Sequence, residues 1–127
     1  MKNFLKISQF ILSLIILMTL NVSCGKSGGK EVLAAPADSP GQEENAKGIS
    51  HFNEGHWKTA AEHFMKAVEA DKNLAEAHYN LAIALHKQGN HGDASKRFKH
   101  AYDLAPKNPA IAESDTLKSH LNMKKSY

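Results

Sequence analysis

Histidine is the residue type of this chain with the greatest capacity for metal or acid–base chemistry. The eight histidines are His51, His56, His63, His78, His86, His91, His100 and His120. A metal site on one helix needs two histidines four residues apart, because that spacing puts both imidazoles on the same face. The nearest pairs here are five residues apart, as in His51/His56 and His86/His91. The spacing therefore predicts no metal ligands and no cofactor, and a His-rich periplasmic metal-binding protein stays open only as the alternative function.

Residue patterns typical of an enzyme are missing from the sequence. The letters G-x-S-x-G occur only at Gly25-Lys26-Ser27-Gly28-Gly29, where no strand is expected before the serine and no helix after it, and the carboxylates are scattered. Helical neighbours such as Glu62 and Lys66 indicate ordinary surface pairs. Gly25-Lys26-Ser27 matches the end of a phosphate-binding loop, but the upstream glycine of that motif is absent. We therefore predict that the protein is not an enzyme and has no catalytic residues.

The first 24 residues have the pattern of an export signal. Lys2 and Lys6 precede an apolar run from Phe10 to Leu20, which is shorter than the ~20 residues that span a bilayer. Ser23 and the only cysteine, Cys24, follow this run. The ending resembles the lipobox of bacterial lipoproteins, in which such a cysteine is lipidated and becomes the mature N-terminus. Residues 1–23 are accordingly predicted to be a lipoprotein signal peptide.

The lipoprotein resemblance implies a chain that is exported and anchored in the bacterial cell envelope through Cys24. Gly25 rather than Asp follows the cysteine, which implies the outer membrane in a two-membrane bacterium. Asn21 stands where the lipobox prefers Leu, so the alternatives are an uncleaved signal anchor and a signal peptide that is cut elsewhere, with Cys24 incidental. Gly, Ser and Pro dominate the residues that follow, and residues 24–39 are predicted to be a flexible linker.

Residues 75–108 show the period of two amphipathic helices. Apolar residues recur at spacings of three and four on either side of Gln88-Gly89-Asn90. Glycine in that break can adopt the left-handed conformation that ends a helix. The segment is therefore predicted to be a helix–turn–helix hairpin, in which small residues allow close helix approach. These small residues are Ala82, Ala94 and Ala101.

This hairpin strongly resembles one tetratricopeptide repeat. The matching positions are His78 (where Trp is usual), Leu81, Ala82, Leu85, Ala94, Phe98, Ala101 and Pro106. A shift of 34 residues places Gly55 on Gly89 and Phe64 on Phe98, so residues 40–74 are predicted to be a first repeat. The resemblance implies an all-α, right-handed superhelical stack of two antiparallel repeats, with a capping helix and tail at 109–127.

Sequence signals also predict where the individual helices begin and end. Ser39 is expected to cap a first helix over residues 40–53, and a second helix is expected over residues 57–70. Asn73 is expected to cap the third helix, and one capping helix should run from Pro109 to about Lys124. Two repeats plus one helix give a small core, so the domain is predicted to be either marginally stable or self-associating.

In tetratricopeptide arrays the first helix of each repeat lines a groove that binds proteins. The resemblance places the following residues in that groove: Asn45, Ile49, Phe52, Asn53, Glu76, Tyr79, Ile83, His86 and Lys87. Tyr79 and Ile83 are alternatively part of the core. The mixture of apolar and polar groups suits an extended or helical peptide. The predicted function is a membrane-anchored adaptor or assembly factor that binds an envelope protein.

Nucleic acid is not an expected partner of this chain. The formal net charge is +3, and two of the 16 basic residues lie in the predicted signal peptide, as Lys2 and Lys6. The remaining 14 basic residues face 13 acidic ones, so the mature chain is close to neutral. A nucleic-acid-binding domain would be expected to carry a marked basic excess.

Overall fold

The computed structural model of the protein describes residues 31–123. This part of the chain is all-α, as predicted, and contains six helices and no strand. Four long helices form two hairpins, and two short helices follow. Their bounds are α1 Gln42–Asn53, α2 Trp57–Ala70, α3 Ala75–Lys87, α4 His91–Leu104, α5 Pro109–Ala112 and α6 Asp115–His120.

Each long helix packs on the next one along the chain, and α6 packs back on α4. Gly55 and Gly89, which lie in the turns inside the two hairpins, both have φ +80°. A Cβ at either position would meet nothing within 4 Å, so glycine is needed for its backbone conformation and not for space. The predicted break at Gly89 and the predicted bounds of α2 are confirmed.

The core is built from a few large side chains that sit against very small ones. Phe64 and Phe98 are fully buried, and alanines such as Ala60 and Ala94 lie beside them at 0% exposure. Gly48 of α1 faces Phe64 of α2 so closely that a Cβ would lie 2.5 Å from the ring. Small residues at these positions are therefore what lets neighbouring helices approach.

The predicted caps of two helices are wrong. Helix α1 begins at Gln42 rather than Pro40, because Ser39 lies in a turn in which its carbonyl accepts from the Gln42 N–H. The Ser39 hydroxyl is buried and has no hydrogen-bond partner within residues 31–123. At α3 the N-cap is Leu74, since the Asn73 N–H donates to the Asp71 carboxylate in a local turn instead.

The capping helix is also not the single helix that the sequence predicts. Asn108 does cap its start, where its side chain accepts from the Ala110 N–H. Ser114 then accepts from the Leu117 N–H and starts a second helix, because a capping serine competes with continuation of the first. Ile111 and Leu117, one from each short helix, are fully buried. Residues 109–123 therefore form a two-helix lid, which we call the C-terminal lid.

The predicted flexible linker is wrong for the residues that the structure describes. Val32 is only 4% exposed and belongs to the core cluster, and Ala35 packs beside a second cluster. The predicted signal peptide and Cys24 lie outside the described residues. Within residues 31–123, none of the helices combines the length and the apolar character needed to cross a bilayer.

Candidate functional site

Residues 31–35 of the chain, called here the docked segment, lie across the first helices of both hairpins. The main chain of Leu33 is bound there by the side chain of Asn80 on α3. The Leu33 N–H donates to Asn80 Oδ1 at 2.6 Å, and Asn80 Nδ2 donates to the Leu33 carbonyl at 2.6 Å. One amide side chain therefore satisfies both polar groups of one residue, as a neighbouring β-strand would.

Asn45 on α1 completes this amide clamp. Its Nδ2 donates to the same Leu33 carbonyl at 3.0 Å, and its Oδ1 accepts from Asn80 Nδ2 at 2.8 Å. Asn45 and Asn80 are 1% and 0% exposed. Because a buried amide without partners costs about 1–3 kcal/mol, the two asparagines and Leu33 depend on one another.

Contacts on the N-terminal side of the clamp involve side chains of the docked segment. Lys87 Nζ at the end of α3 lies 2.8 Å from Glu31 Oε1. Both side chains are partly exposed, at 32% and 44%, so this pair contributes at most about 1 kcal/mol. Glu31, Val32 and Ala34 also border a small cavity of about 160 Å³ with Ile49 and Asn53. The groove therefore has room beside the main chain that it holds.

The structure divides the predicted groove residues into three groups. Asn45 and Lys87 contact the docked segment, and Ile49 and Asn53 line the cavity beside it. Three apolar residues are 0–7% exposed and belong to the core, which is the alternative given above for two of them and corrects the groove assignment of Phe52. They are Phe52, Tyr79 and Ile83. The last group, Glu76 and His86, faces the C-terminal end of the domain.

Tyr79 and Glu76 join α3 to the C-terminal end of the domain. The Tyr79 hydroxyl donates to Ser114 Oγ at 2.9 Å, and burial raises the pKa of this phenol. Glu76 Oε1 accepts from Asn108 Nδ2 at 3.4 Å. The Tyr79 ring also packs edge-on against Phe98, with 5.6 Å between centroids. These contacts fix the position of the C-terminal lid.

Asn80 is the functional residue that the sequence prediction missed. It lies in an apolar stretch of α3 between Tyr79 and Leu81, so its face of the helix is buried. A polar amide in such a place needs a hydrogen-bond partner. An asparagine within this apolar stretch was therefore the sequence signal that a polar group binds there. The partner was not predictable, because it is the main chain of a segment 47 residues away.

Three histidines from separate elements meet at the C-terminal end of α3, and we call them the histidine cluster. They are His86 at the end of α3, His91 at the start of α4 and His120 at the end of α6. One ring nitrogen from each lies within 4.8 Å of the others. Burial, followed by the neighbouring imidazoles, lowers the pKa of His86 and His120 below their usual value. The neutral forms of both rings are therefore favoured.

Comparison with known proteins supports the repeat architecture. A TPR repeat family model matches residues 48–89, and a tetratricopeptide repeat model matches residues 75–108. No curated protein matches the chain. Together the two models cover α2, α3 and α4 and the last part of α1. Residues 48–108 of the chain therefore form tetratricopeptide repeats.

Proposed function

We propose that this protein is a membrane-anchored adaptor whose groove binds an extended peptide segment of an envelope protein. The observation that supports this function is the amide clamp, in which Asn45 and Asn80 hold the main chain of Leu33. A clamp on main-chain groups accepts many sequences, and neighbouring side-chain contacts supply the selectivity. Tetratricopeptide repeats have a protein-interaction role, and the clamp indicates that the ligand is an extended peptide.

The docked segment indicates which side chains a ligand should carry. Lys87 pairs with an acidic side chain two residues before the clamped residue. The next position, held by Val32, is buried and therefore requires a small apolar side chain. Leu33 is partly buried and packs against the core cluster, so the expected ligand is an extended peptide of the pattern acidic, small apolar, apolar. A basic residue in place of Glu31 would face Lys87 and should be disfavoured.

A partner must displace the docked segment before it binds. Because the segment is part of the same chain, its effective concentration at the groove is on the order of mM. The apparent affinity of a partner is therefore reduced by the fraction of molecules in which the groove is occupied. We infer that partner binding in this protein is competitive, and that variants with a released segment bind partners more tightly.

In a chain anchored through Cys24, release of the docked segment increases the distance from the membrane that the repeats can reach. A chain extends at most ~3.6 Å per residue, so a lipid on Cys24 would hold Glu31 within about 25 Å of the membrane surface. If residues 31–41 are released, the same bound for Gln42 rises to about 65 Å. Comparison of acyl labelling in the wild type and Cys24→Ser tests the anchor itself, which is expected to be lost in the variant.

The peptide-binding function is tested by supplying the segment in trans. Val32→Asp places a charge in a buried position and should release the segment, which leaves the groove open. A labelled peptide of sequence EVLAA should then bind the Val32→Asp chain measurably more tightly than the wild type. Adding Asn80→Ala to Val32→Asp should weaken this binding at least tenfold, because about 2 kcal/mol of hydrogen bonding is lost.

Two controls make the peptide experiment decisive. Asn73 is exposed and its side chain has no role in the groove, so Asn73→Ala in the Val32→Asp background should leave affinity unchanged. A peptide with Lys in place of Glu should bind more weakly, because it faces Lys87. Equal binding of EVLAA to the Val32→Asp chain with and without Asn80 would show that the groove does not use the clamp.

A further inference from the structure

We propose that the histidine cluster is a Zn²⁺ site that fastens the C-terminal lid to the second repeat. This inference does not depend on peptide binding, because the cluster lies outside the contacts of the docked segment. Imidazole nitrogen is a ligand that suits Zn²⁺. Three protein ligands with one open position form a known type of zinc coordination. The ligands would be His86, His91 and His120.

The distances among the three rings are close to those of a tetrahedral site. With Zn–N bonds of ~2.0–2.1 Å, tetrahedral geometry puts ligand nitrogens about 3.3 Å apart. His86 Nδ1 and His120 Nε2 are 2.9 Å apart, and ring centroids in the cluster are separated by 5.0–5.6 Å. All three ligand nitrogens lie within 4.8 Å of one another. Side-chain rotation can therefore complete the site without moving a helix.

The backbone holds two of the three ligands rigidly. His86 and His91 lie on either side of the turn at Gly89, whose N–H donates to the His86 carbonyl at 2.9 Å. The Asn90 N–H closes the same turn by donating to Leu85. His120 comes from α6, which Leu117 anchors in the core. A metal ion in the cluster would thus cross-link the lid to the turn of the second repeat.

Ser95 sets the tautomer of His120 in the way that a zinc ligand needs. Ser95 Oγ donates its only proton to the His91 carbonyl at 2.9 Å. At 2.8 Å from His120 Nδ1 it must then accept a proton from that nitrogen. Nε2 of His120 is therefore unprotonated, and its lone pair points into the cluster, where it accepts from His86 Nδ1 at 2.9 Å when no metal is bound. A hydrogen bond from the second ring nitrogen to a protein acceptor is typical of metal-bound histidine.

The surroundings of the cluster are compatible with a divalent cation. The nearest lysine in sequence, Lys87, has its charge paired with Glu31 at 2.8 Å. His86 and His120 are half-buried, whereas His91 is exposed, which leaves an open side for the metal to enter. Water or a side chain of a partner protein can occupy the fourth position there.

A second group of potential ligands in residues 31–123 is a weaker candidate. His51, Glu54 and His56 also approach one another. These residues lie around a single helix turn, and the His56 and Glu54 side chains are 60% and 54% exposed. An ordinary surface contact between His56 Nδ1 and Glu54 Oε2 at 3.2 Å accounts for their geometry. Within residues 31–123, no hydroxyl group comparable to that of Ser95 sets the tautomer of His51 or His56.

The experiment uses the full chain, purified without a polyhistidine tag and stripped of metal with a chelator. Calorimetric titration with ZnCl₂ should show one saturable equivalent. His86→Gln and His120→Gln should each weaken the affinity at least tenfold. His100→Gln, which removes an exposed histidine outside both groups, should leave it unchanged. Visible spectra with Co²⁺ should show the intense absorption of a tetrahedral site.

Ser95→Ala keeps all three ligands and tests the site without removing one. It should weaken Zn²⁺ affinity about tenfold, in line with other hydrogen-bond partners of metal-bound histidine. Circular dichroism of each variant without metal should match that of the wild type. Absence of saturable Zn²⁺ binding in the wild type would overturn the proposal. So would binding that survives His120→Gln but is lost in His51→Gln, because that result assigns the metal to the other group.

Discussion

Replacing Asn80 with alanine is expected to release the docked segment and to lower the free energy of unfolding by about 2 kcal/mol. The Asn80 side chain makes three hydrogen bonds, two to Leu33 and one to Asn45. A buried hydrogen bond contributes a net ~0.5–1.5 kcal/mol, which gives about 1.5–4.5 kcal/mol for three. We expect the lower part of this range, because a released segment regains hydrogen bonds to water.

A double-mutant cycle separates the clamp from general packing of Asn80. Leu33→Pro removes the N–H that donates to Asn80 Oδ1, and so breaks the same interaction from the other side. If the clamp operates, Asn80→Ala should cost about 1 kcal/mol less in the Leu33→Pro background than in the wild type. Urea unfolding of the full chain, followed by circular dichroism, measures each corner of the cycle.

The matched control for this cycle is Asn73→Ala, an exposed asparagine that should change stability by less than ~0.5 kcal/mol. Additive effects of Asn80→Ala and Leu33→Pro would count against the amide clamp, because they would show that the two residues do not interact in solution. An unchanged stability in Asn80→Ala alone would refute it equally.

Three further predictions concern the core, a buried histidine and the C-terminal lid. Gly48→Ala puts a methyl group 2.5 Å from the Phe64 ring and should lower the unfolding free energy by about 1–3 kcal/mol in urea. Burial lowers the pKa of His78 below its usual 6.5, so stability should fall as pH drops below that value, and His78→Phe should weaken this dependence. Ser114→Ala removes a helix cap and the acceptor of the Tyr79 hydroxyl, which should lower the melting temperature through a loss of about 1–2 kcal/mol.

Each of these predictions has a control or a contradicting result. At Gly92, in the first turn of α4, an added Cβ meets nothing within 4 Å, so Gly92→Ala should be neutral or slightly stabilising. His78→Phe should leave part of the pH dependence, because the pKa values of His86 and His120 are lowered too. An identical pH dependence in wild type and His78→Phe would contradict the account of that residue. A Ser114→Ala variant that melts like the wild type would show that Tyr79 does not hold the lid.

The sign of the pH effect follows from where the proton binds. His78 is 3% exposed, and its Nε2–H donates to the Lys72 carbonyl at 3.0 Å. Its Nδ1 is buried and has no hydrogen-bond partner within the described part of the chain. Protonation would place a charge there without compensation. The unfolded chain therefore binds the proton more readily, and acid favours unfolding.

The helices and turns were predictable because their causes are local in sequence. The bounds of α2 follow from the spacing of its apolar residues, and the hairpin turns follow from Gly55 and Gly89. The cap of α1 was not predictable in the same way. Ser39 has the residue type of a cap, but the chain turns at that point before the helix starts. The preference of Ser39 for a helix cap is overridden there by the tertiary position of the preceding residues.

The two candidate sites depend on contacts between distant parts of the chain. Residues 31–35 have no helical period, and they are ordered by the amide clamp and by the burial of Val32. The histidine cluster joins His120 to two residues about 30 positions earlier, so a rule based on spacing within one helix missed it. Asn45 was assigned to the groove by the family resemblance, and the structure adds Asn80 as the second half of the clamp.

Amide hydrogen exchange of Leu33 measures whether Asn45 and Asn80 bind an extended main chain in the groove. In the full wild-type chain the Leu33 N–H should be protected, because Asn80 accepts its proton at 2.6 Å in a buried site. Protection should disappear in Asn80→Ala and should persist in Asn73→Ala. A Leu33 amide that exchanges in the wild type as fast as in an unstructured peptide would contradict the account.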